Sequence, residues 1–135
     1  MTVGYSGTPL AKKLGLREGD RVALVGAPQG LETLLEPLPA GVRLLSRATT
    51  ALDAILFFVT RRADVERRHR ALAARLTPAG MLWLAWPKRA SGVPTDVTED
   101  VLREVILPSG MVDTKVCAID ETWSGLRFVL RKELR

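Results

Sequence analysis

The sequence predicts a three-layer α/β/α sandwich on a mostly parallel sheet of about six strands that ends in an antiparallel hairpin. Strand-like apolar runs alternate with helix-like stretches, and such alternation requires a parallel sheet covered on both faces. Two runs, residues 54–59 and 81–86, contain no polar alternation, which is typical of central strands. The last two strand-like runs are separated by a short connection, which favours a hairpin.

Length and composition fit one domain over residues 1–135, because single domains commonly span roughly 100–200 residues. The longest apolar run, residues 54–60, is far shorter than the ~20 residues of a membrane-spanning helix. The first six residues lack the basic and apolar regions of a secretory signal. Cys117 is the only cysteine, so we expect a cytoplasmic protein without an internal disulfide.

The first third of the chain predicts short helices and strands. Thr8 is suited to the N-cap of a first helix, Pro9 to its first position and Gly15 to the position after its end. The remaining predicted elements here are the strand 21–25 that ends at Gly26, the helix 31–35 and the short strand 42–45.

The middle of the chain predicts the strand 54–59, a helix over residues 61–76 and the strand 81–86. The apolar stripe of this helix contains Val65, His69, Leu72 and Leu76. His69, the only histidine, is therefore expected to be a packed side chain rather than a catalyst. Residues 77–80 (Thr-Pro-Ala-Gly) predict a turn before the next strand.

The last part predicts a loop over residues 87–94 and then a helix over residues 96–107. Thr95 is suited to the N-cap of this helix, whose first turn is acidic. Strands over residues 112–119 and 126–130 follow, and the connection 120–125 is short enough for a hairpin.

Two segments resemble the Rossmann-like fold of class I methyltransferases. Residues 19–26 (Gly-Asp-Arg-Val-Ala-Leu-Val-Gly) are similar to the first strand and the opening glycine of that superfamily's cofactor loop. Residues 76–82 (Leu-Thr-Pro-Ala-Gly-Met-Leu) are similar to the entry to its fifth strand. The resemblance implies the methyltransferase-type arrangement, with ligands at the carboxyl ends of the strands.

Nearly the whole chain resembles a bacterial domain-of-unknown-function family of small Rossmann-like proteins. That family has no established activity and no assigned catalytic residues to transfer. The segments that carry the family resemblance are residues 4–10, 86–88, 91–96 and 121–126.

The composition also fits a thermophilic source or a GC-rich genome, since the chain has no asparagine, one glutamine and fifteen arginines.

The segment after the first predicted strand departs from an ordinary cofactor loop. It contains Gly26 and Gly30, but the middle glycine is replaced by Pro28, which has no amide hydrogen. Residues 44–48 contain no acid for the ribose hydroxyls, and the superfamily's acid within the first strand is also missing. We therefore predict no cofactor. The alternatives are S-adenosylmethionine and NADP, whose 2′-phosphate Arg47 is suited to meet.

The loop after the strand 81–86 is the preferred candidate site. It offers charged side chains, hydroxyl groups and a glycine that lets a ligand come close to the backbone. Together with the partial positive charge at the start of the next helix, these groups are suited to bind a phosphate or a carboxylate. The alternative is that these residues serve only the turn and the helix cap. The candidate residues in this loop are Lys88, Arg89, Ser91, Gly92, Thr95 and Asp96.

The predicted hairpin tip supplies further candidates. Trp123 and Ser124 lie on this connection, where the indole either stacks on a ligand or packs into the core. Tyr5, before the first helix, is a candidate for the same edge of the sheet. One histidine and one cysteine do not predict a zinc site.

The predicted helix 61–76 contains six arginines, and the chain has a net charge of +5. Such a helix is able to meet a nucleic-acid backbone. Asp64 and Glu66 lie among the arginines, and no aromatic residue lies between the arginines. Both observations favour a solvated or ion-paired face over nucleic-acid binding.

The leading functional hypothesis is a degenerate Rossmann-like domain that binds a small anion or a protein partner without methyl transfer. The first alternative is an enzyme at the cleft around Lys88, Ser91 and Thr95, either nucleotide-dependent or a divergent methyltransferase. The second is nucleic-acid binding through the arginine-rich helix. Monomer and homodimer remain open.

Overall fold

The protein is described from a computed structural model that covers residues 8–135. It contains a six-stranded sheet in the order β2-β1-β3-β4-β6-β5. Strands β1 to β4 are parallel, whereas β6 runs antiparallel to both β4 and β5. The strands are β1 (Arg21–Val25), β2 (Arg43–Leu45), β3 (Leu52–Phe58), β4 (Leu76–Pro87), β5 (Met111–Ala118) and β6 (Trp123–Leu130).

Helices cover both faces of the sheet, which confirms the predicted three-layer sandwich. Two short helices pack into the apolar cluster on one face, and two longer helices pack into the cluster on the other. The first pair is α1 (Leu10–Lys13) and α2 (Leu31–Leu35), and the second pair is α3 (Arg62–Ala73) and α4 (Glu99–Ile106).

Strand β3 shows why the sheet must be covered on both sides. Ala54 and Leu56 belong to the cluster under α1 and α2, whereas Ile55 and Phe57 belong to the cluster under α3 and α4. Successive side chains of a strand point to opposite faces, so an unbroken apolar run supplies both cores. The prediction of a central strand is confirmed, with bounds shifted by one or two residues.

The turn predicted over residues 77–80 is wrong, because these residues extend β4. The chain re-enters the sheet shortly after α3, where Leu76 pairs with Leu52. The N–H of Leu52 donates to the Arg75 carbonyl at 3.0 Å. The proline and glycine are absorbed by a shift of register between β3 and β4. The helix accordingly ends at Ala73 rather than at residue 76.

Two predicted helix caps are also wrong. Helix α4 begins at Glu99, and Thr98 rather than Thr95 is its N-cap, accepting the Val101 N–H at 3.1 Å. Helix α1 begins at Leu10, so Thr8 is not its N-cap. Both helices are shorter than predicted, because two threonines three residues apart, or a Thr-Pro pair, offer several start points to the same pattern.

The hairpin is confirmed, but its tip is shorter than predicted. Strand β6 begins at Trp123, since the Ile119 N–H donates to the Trp123 carbonyl at 2.9 Å. The Asp120 side chain accepts the N–H groups of Thr122 and Trp123, which closes the turn. Trp123 and Ser124 therefore lie in the sheet and not on a free tip.

His69 is buried on the core side of α3, with a 4% exposed surface. Its Nδ1 lies 2.7 Å from the Val65 carbonyl oxygen, whereas residues 8–135 supply no hydrogen-bond partner for Nε2. None of the helices between residues 8 and 135 combines the length and apolar character needed to cross a membrane.

Candidate functional site

The strand order reverses between β1 and β3, which lie side by side although β2 follows β1 in the chain. In open α/β sheets, ligands bind in the crevice beyond the carboxyl ends of the strands at such a reversal. The segments that leave these two strand ends are residues 26–30, here called the β1 turn, and residues 59–61. The topology therefore places the expected crevice beside the β1 turn.

Gly26 is required by the geometry of the β1 turn. Its φ is +67°, a left-handed conformation, and an added Cβ would lie 2.9 Å from the Phe58 carbonyl oxygen. Gly30 has a φ of +88°, but a Cβ there would meet no atom within 4 Å. The turn is thus tight against β3 at one end and open at the other.

Pro28 shapes this turn without filling the crevice. Its carbonyl oxygen accepts the Leu31 N–H at 3.3 Å, which leads the chain into α2. Gly30 lines the cavity next to the turn, whereas Pro28 does not. The proline therefore removes one amide donor but leaves the approach to the cavity free.

A cavity of about 720 Å³ opens between α1, α2, the end of β4 and the turn after β5. This volume lies within the roughly 300–1,000 Å³ of small-molecule sites. The cavity combines apolar side chains with two ammonium groups and three carboxylates. Its lining consists of Thr8, Pro9, Leu10, Lys13, Gly30, Thr33, Leu34, Glu36, Pro37, Lys88, Ala118, Ile119, Asp120 and Glu121.

Lys88 is a charged group of this cavity that a hydrogen bond holds in place. Its side chain is half-buried, and Nζ donates to the Asp120 carbonyl oxygen at 2.6 Å. Its backbone N–H donates to the Thr122 carbonyl oxygen at 2.8 Å. An ammonium has three donors, so this arrangement holds Lys88 in place and leaves donors for a ligand.

The preferred candidate residues of the loop after β4 are occupied by structural hydrogen bonds. The Ser91 hydroxyl donates to the Lys88 carbonyl at 2.7 Å, and the Thr95 hydroxyl donates to the Thr60 carbonyl at 2.6 Å. Asp96 accepts the N–H of Arg62 at 2.7 Å, which caps α3. Apart from Lys88, this set is not brought together in the cavity.

The other predicted residues are also placed apart. Arg89 is exposed at the start of a short 3-10 helix, which Gly92 ends in a left-handed conformation with a φ of +76°. Trp123 packs edge-on against Phe58 with ring centroids 5.1 Å apart. Ser124 pairs with its neighbours inside the sheet. Tyr5 lies outside the described residues.

Cys117 lies under the cavity, in the strand that leads to the lining residues Ala118 and Ile119. Burial raises the pKa of its thiol, and the ammonium groups of Lys13 and Lys115 oppose this effect. The thiol is therefore held in its neutral form. Between residues 8 and 135 no cluster of three or more His, Cys, Asp or Glu side chains is placed to hold a metal ion.

The sequence did not predict the contributions of α1 and α2 to the cavity. Lys13, Thr33 and Glu36 come from short helices that carry no recognisable binding motif. They meet Lys88 only because α1 and α2 share one face of the sheet. The local feature that pointed to the cavity was a lysine directly after the apolar strand β4, and this feature identified Lys88 but none of the residues on α1 and α2.

No protein-family model matches the chain, and no curated protein matches it. Solved structures do resemble it. A SAM-dependent methyltransferase from Aquifex aeolicus is 15% identical, with a TM-score of 0.61, over 88% of this chain and 86% of that chain. A methyltransferase from Pyrococcus furiosus is 14% identical, with a TM-score of 0.60, over 90% and 82%.

A third similar structure is Aeropyrum pernix fibrillarin in complex with S-adenosyl-L-methionine. It is 15% identical, with a TM-score of 0.56, over 93% of this chain and 70% of that chain. The prediction of no cofactor is contradicted by these similarities to SAM-dependent enzymes, one of which contains the cofactor. That prediction rested on Pro28 and on two missing acids, and the structure shows a cavity that opens beside Pro28 at Gly30. The chain has a Rossmann-like fold of the class I methyltransferase type.

Proposed function

We propose that the chain binds S-adenosylmethionine at the carboxyl edge of the sheet and takes part in methyl transfer. The observation that carries this proposal is the 720 Å³ cavity lined by Gly30 of the β1 turn and by Lys88 at the carboxyl end of β4. The similarity to enzymes that use this cofactor supports the same assignment.

The residues present fit the amino-acid end of the cofactor. Lys13 and Lys88 supply ammonium groups for its carboxylate, and Glu36 and Glu121 supply carboxylates for its positive charges. Charge-assisted hydrogen bonds of this type are stronger than neutral ones. The open backbone at Gly30 allows the ligand to approach the start of α2.

The ribose end fits less well. Residues 44–48, which leave β2, offer the Ser46 hydroxyl and no carboxylate. A carboxylate accepts two ribose hydroxyls at once, whereas a single hydroxyl supports fewer hydrogen bonds. We therefore expect a dissociation constant in the range of about 10–100 μM, equivalent to roughly 5.5–7 kcal/mol of binding free energy.

The bound cofactor supplies a methyl group on a sulfonium sulfur, which a nucleophile of the acceptor takes to leave S-adenosylhomocysteine. The chain's part is to hold both molecules and to exclude water. Leu10, Leu34 and Ile119 form the apolar wall of the cavity. Glu36 and Glu121, which lie on the exposed side of the lining, keep that side of the cavity open to solvent, and the proton that the acceptor releases passes to water there.

Isothermal titration with S-adenosylmethionine and S-adenosylhomocysteine tests the proposal. We expect Lys88→Met to weaken binding about 10-fold to 100-fold, because a hydrogen bond to a charged group contributes about 1.5–3 kcal/mol. Lys132→Met removes the same charge from an exposed position outside the cavity and serves as the control. Absence of binding at millimolar ligand, or equal effects of the two variants, would contradict the proposal.

A further inference from the structure

The net charge of the chain is concentrated in one segment. Residues 42–76 contain eight arginines and three acids, which is a charge of +5 and equals the net charge of the whole chain. The remaining residues contain twelve basic and twelve acidic side chains. This segment comprises β2, β3 and α3.

The three acids of this segment are already engaged. Asp53 accepts the N–H of Arg21 at 2.8 Å, at the amino end of β3. Asp64 pairs with Arg67 at 2.5 Å, and Glu66 pairs with Arg62 at 3.0 Å. Over residues 8–135 no salt bridge is found for the other six arginines, which are Arg43, Arg47, Arg61, Arg68, Arg70 and Arg75.

Three of these arginines follow one another along the course of α3. Arg61 is the residue before the helix, Arg68 lies within it, and Arg75 follows its last residue by two positions; all three are exposed and are seven residues apart in the sequence. The side of α3 that carries Arg62 faces α4, where Arg62 is paired with Glu104 at 2.9 Å. We call Arg61, Arg68 and Arg75 the arginine line.

The central member of the arginine line, Arg68, is anchored against the protein. The Arg68 guanidinium carbon lies 5.5 Å from the ring centroid of Phe57, which is itself buried. A guanidinium held over an aromatic face is attracted by the ring and loses less freedom when it meets an anion. Arg61 lies just beyond the carboxyl end of β3, so the line begins at the same edge of the sheet as the cavity.

We infer that the arginine line binds the phosphate backbone of double-stranded DNA. A single strand would need aromatic platforms for its unpaired bases, and the large apolar side chains exposed on the described surface are Val93, Val116 and Leu134, all outside this segment. Double-stranded DNA carries about one negative charge per 1.7 Å of its axis, so it presents several phosphates to neighbouring arginines at once. Contacts to phosphate alone make the binding independent of sequence. The inference does not rest on the cofactor proposal.

Fluorescence anisotropy with a labelled 20-base-pair duplex of mixed sequence tests this inference. We expect the full chain to bind with a dissociation constant of about 10⁻⁴–10⁻⁶ M near physiological salt, and more tightly at lower salt. The triple variant Arg61→Gln/Arg68→Gln/Arg75→Gln should bind at least about 10-fold more weakly. It should also reduce the slope of log affinity against log salt by about 2.7, since each phosphate contact contributes about 0.9.

The matched control is Arg17→Gln/Arg89→Gln/Arg131→Gln, which removes the same charge from exposed positions outside the segment. A second variant, with lysine at positions 61, 68 and 75, should retain binding within about threefold and separates lost charge from lost folding. Equal weakening by the control, absence of binding to duplex DNA at 50 mM salt, or tighter binding to single strands or to duplex RNA would overturn the inference.

Discussion

Two of the loops that leave the carboxyl edge of the sheet differ in how their polar groups are used. The loop over residues 89–98, here called the β4 loop, has hydroxyls and a carboxylate, but Thr95 and Asp96 bind the backbone around α3. The β1 turn has few polar side chains, yet Gly30 is open and lines the cavity. The side chains of the first loop are consumed by the fold, whereas the backbone of the second is available to a ligand.

The difference shows that polar composition does not distinguish a binding loop from a well-capped loop. Serine, threonine and aspartate are favoured at turns and helix starts because they bond the local backbone. The same residue types are favoured in anion sites for the same reason. Only the hydrogen-bond partner of each side chain separates the two roles.

The largest expected effect is on the β1 turn. Gly26→Ala should lower the free energy of unfolding by about 3 kcal/mol, because the left-handed backbone and the Phe58 carbonyl both oppose a Cβ. Gly30→Ala meets the backbone strain alone and should cost about 1 kcal/mol. Chemical denaturation measures both. Equal losses would mean that the close approach at Gly26 is not limiting.

A smaller effect is expected in the β4 loop. Asp96→Ala should lower the free energy of unfolding by about 1 kcal/mol, because the N–H of Arg62 at the start of α3 loses its acceptor. S-adenosylmethionine affinity should not change. Asp100→Ala is the control, since that side chain is 97% exposed and its contact to Arg103 is 3.4 Å long. Weakened cofactor binding in Asp96→Ala alone would return the β4 loop to the site.

The smallest effect concerns Cys117 beneath the cavity. Because burial raises the pKa of this thiol in the folded state, its contribution to stability is present below the unfolded pKa and is lost as the pH rises through the folded pKa. The wild type should therefore lose slightly more stability than Cys117→Ala between pH 7 and pH 10. Thermal unfolding at the two pH values measures this difference, and an identical loss would refute it.

The sheet was predictable because its signal is periodic and local. The unbroken apolar run of β3 supplies both cores, and the short connection before β6 allows only a hairpin. Helix starts were less predictable, since Thr95 and Thr98 are equivalent by pattern. Tertiary contacts decide between them: Thr95 is taken by the Thr60 carbonyl, which leaves Thr98 to cap α4.

The cavity was not predictable from local sequence. Its walls come from α1, α2, the end of β4 and the turn after β5, which are far apart in the chain. Lys88 was singled out, but its neighbours Lys13 and Glu36 were not, because their meeting depends on the packing of two short helices on one face. The prediction of no cofactor gave Pro28 too much weight for the same reason. The motif shows that a backbone amide is missing at Pro28, but it does not show where the cavity lies.

Backbone amide NMR spectra during titration with S-adenosylhomocysteine test most directly whether the β1 turn, and not the β4 loop, meets the ligand. We predict the largest shift changes at the cavity residues Gly30, Lys13 and Lys88, and almost none at residues 91–96. Largest changes at residues 91–96, or no changes at millimolar ligand, would contradict the proposed cofactor site.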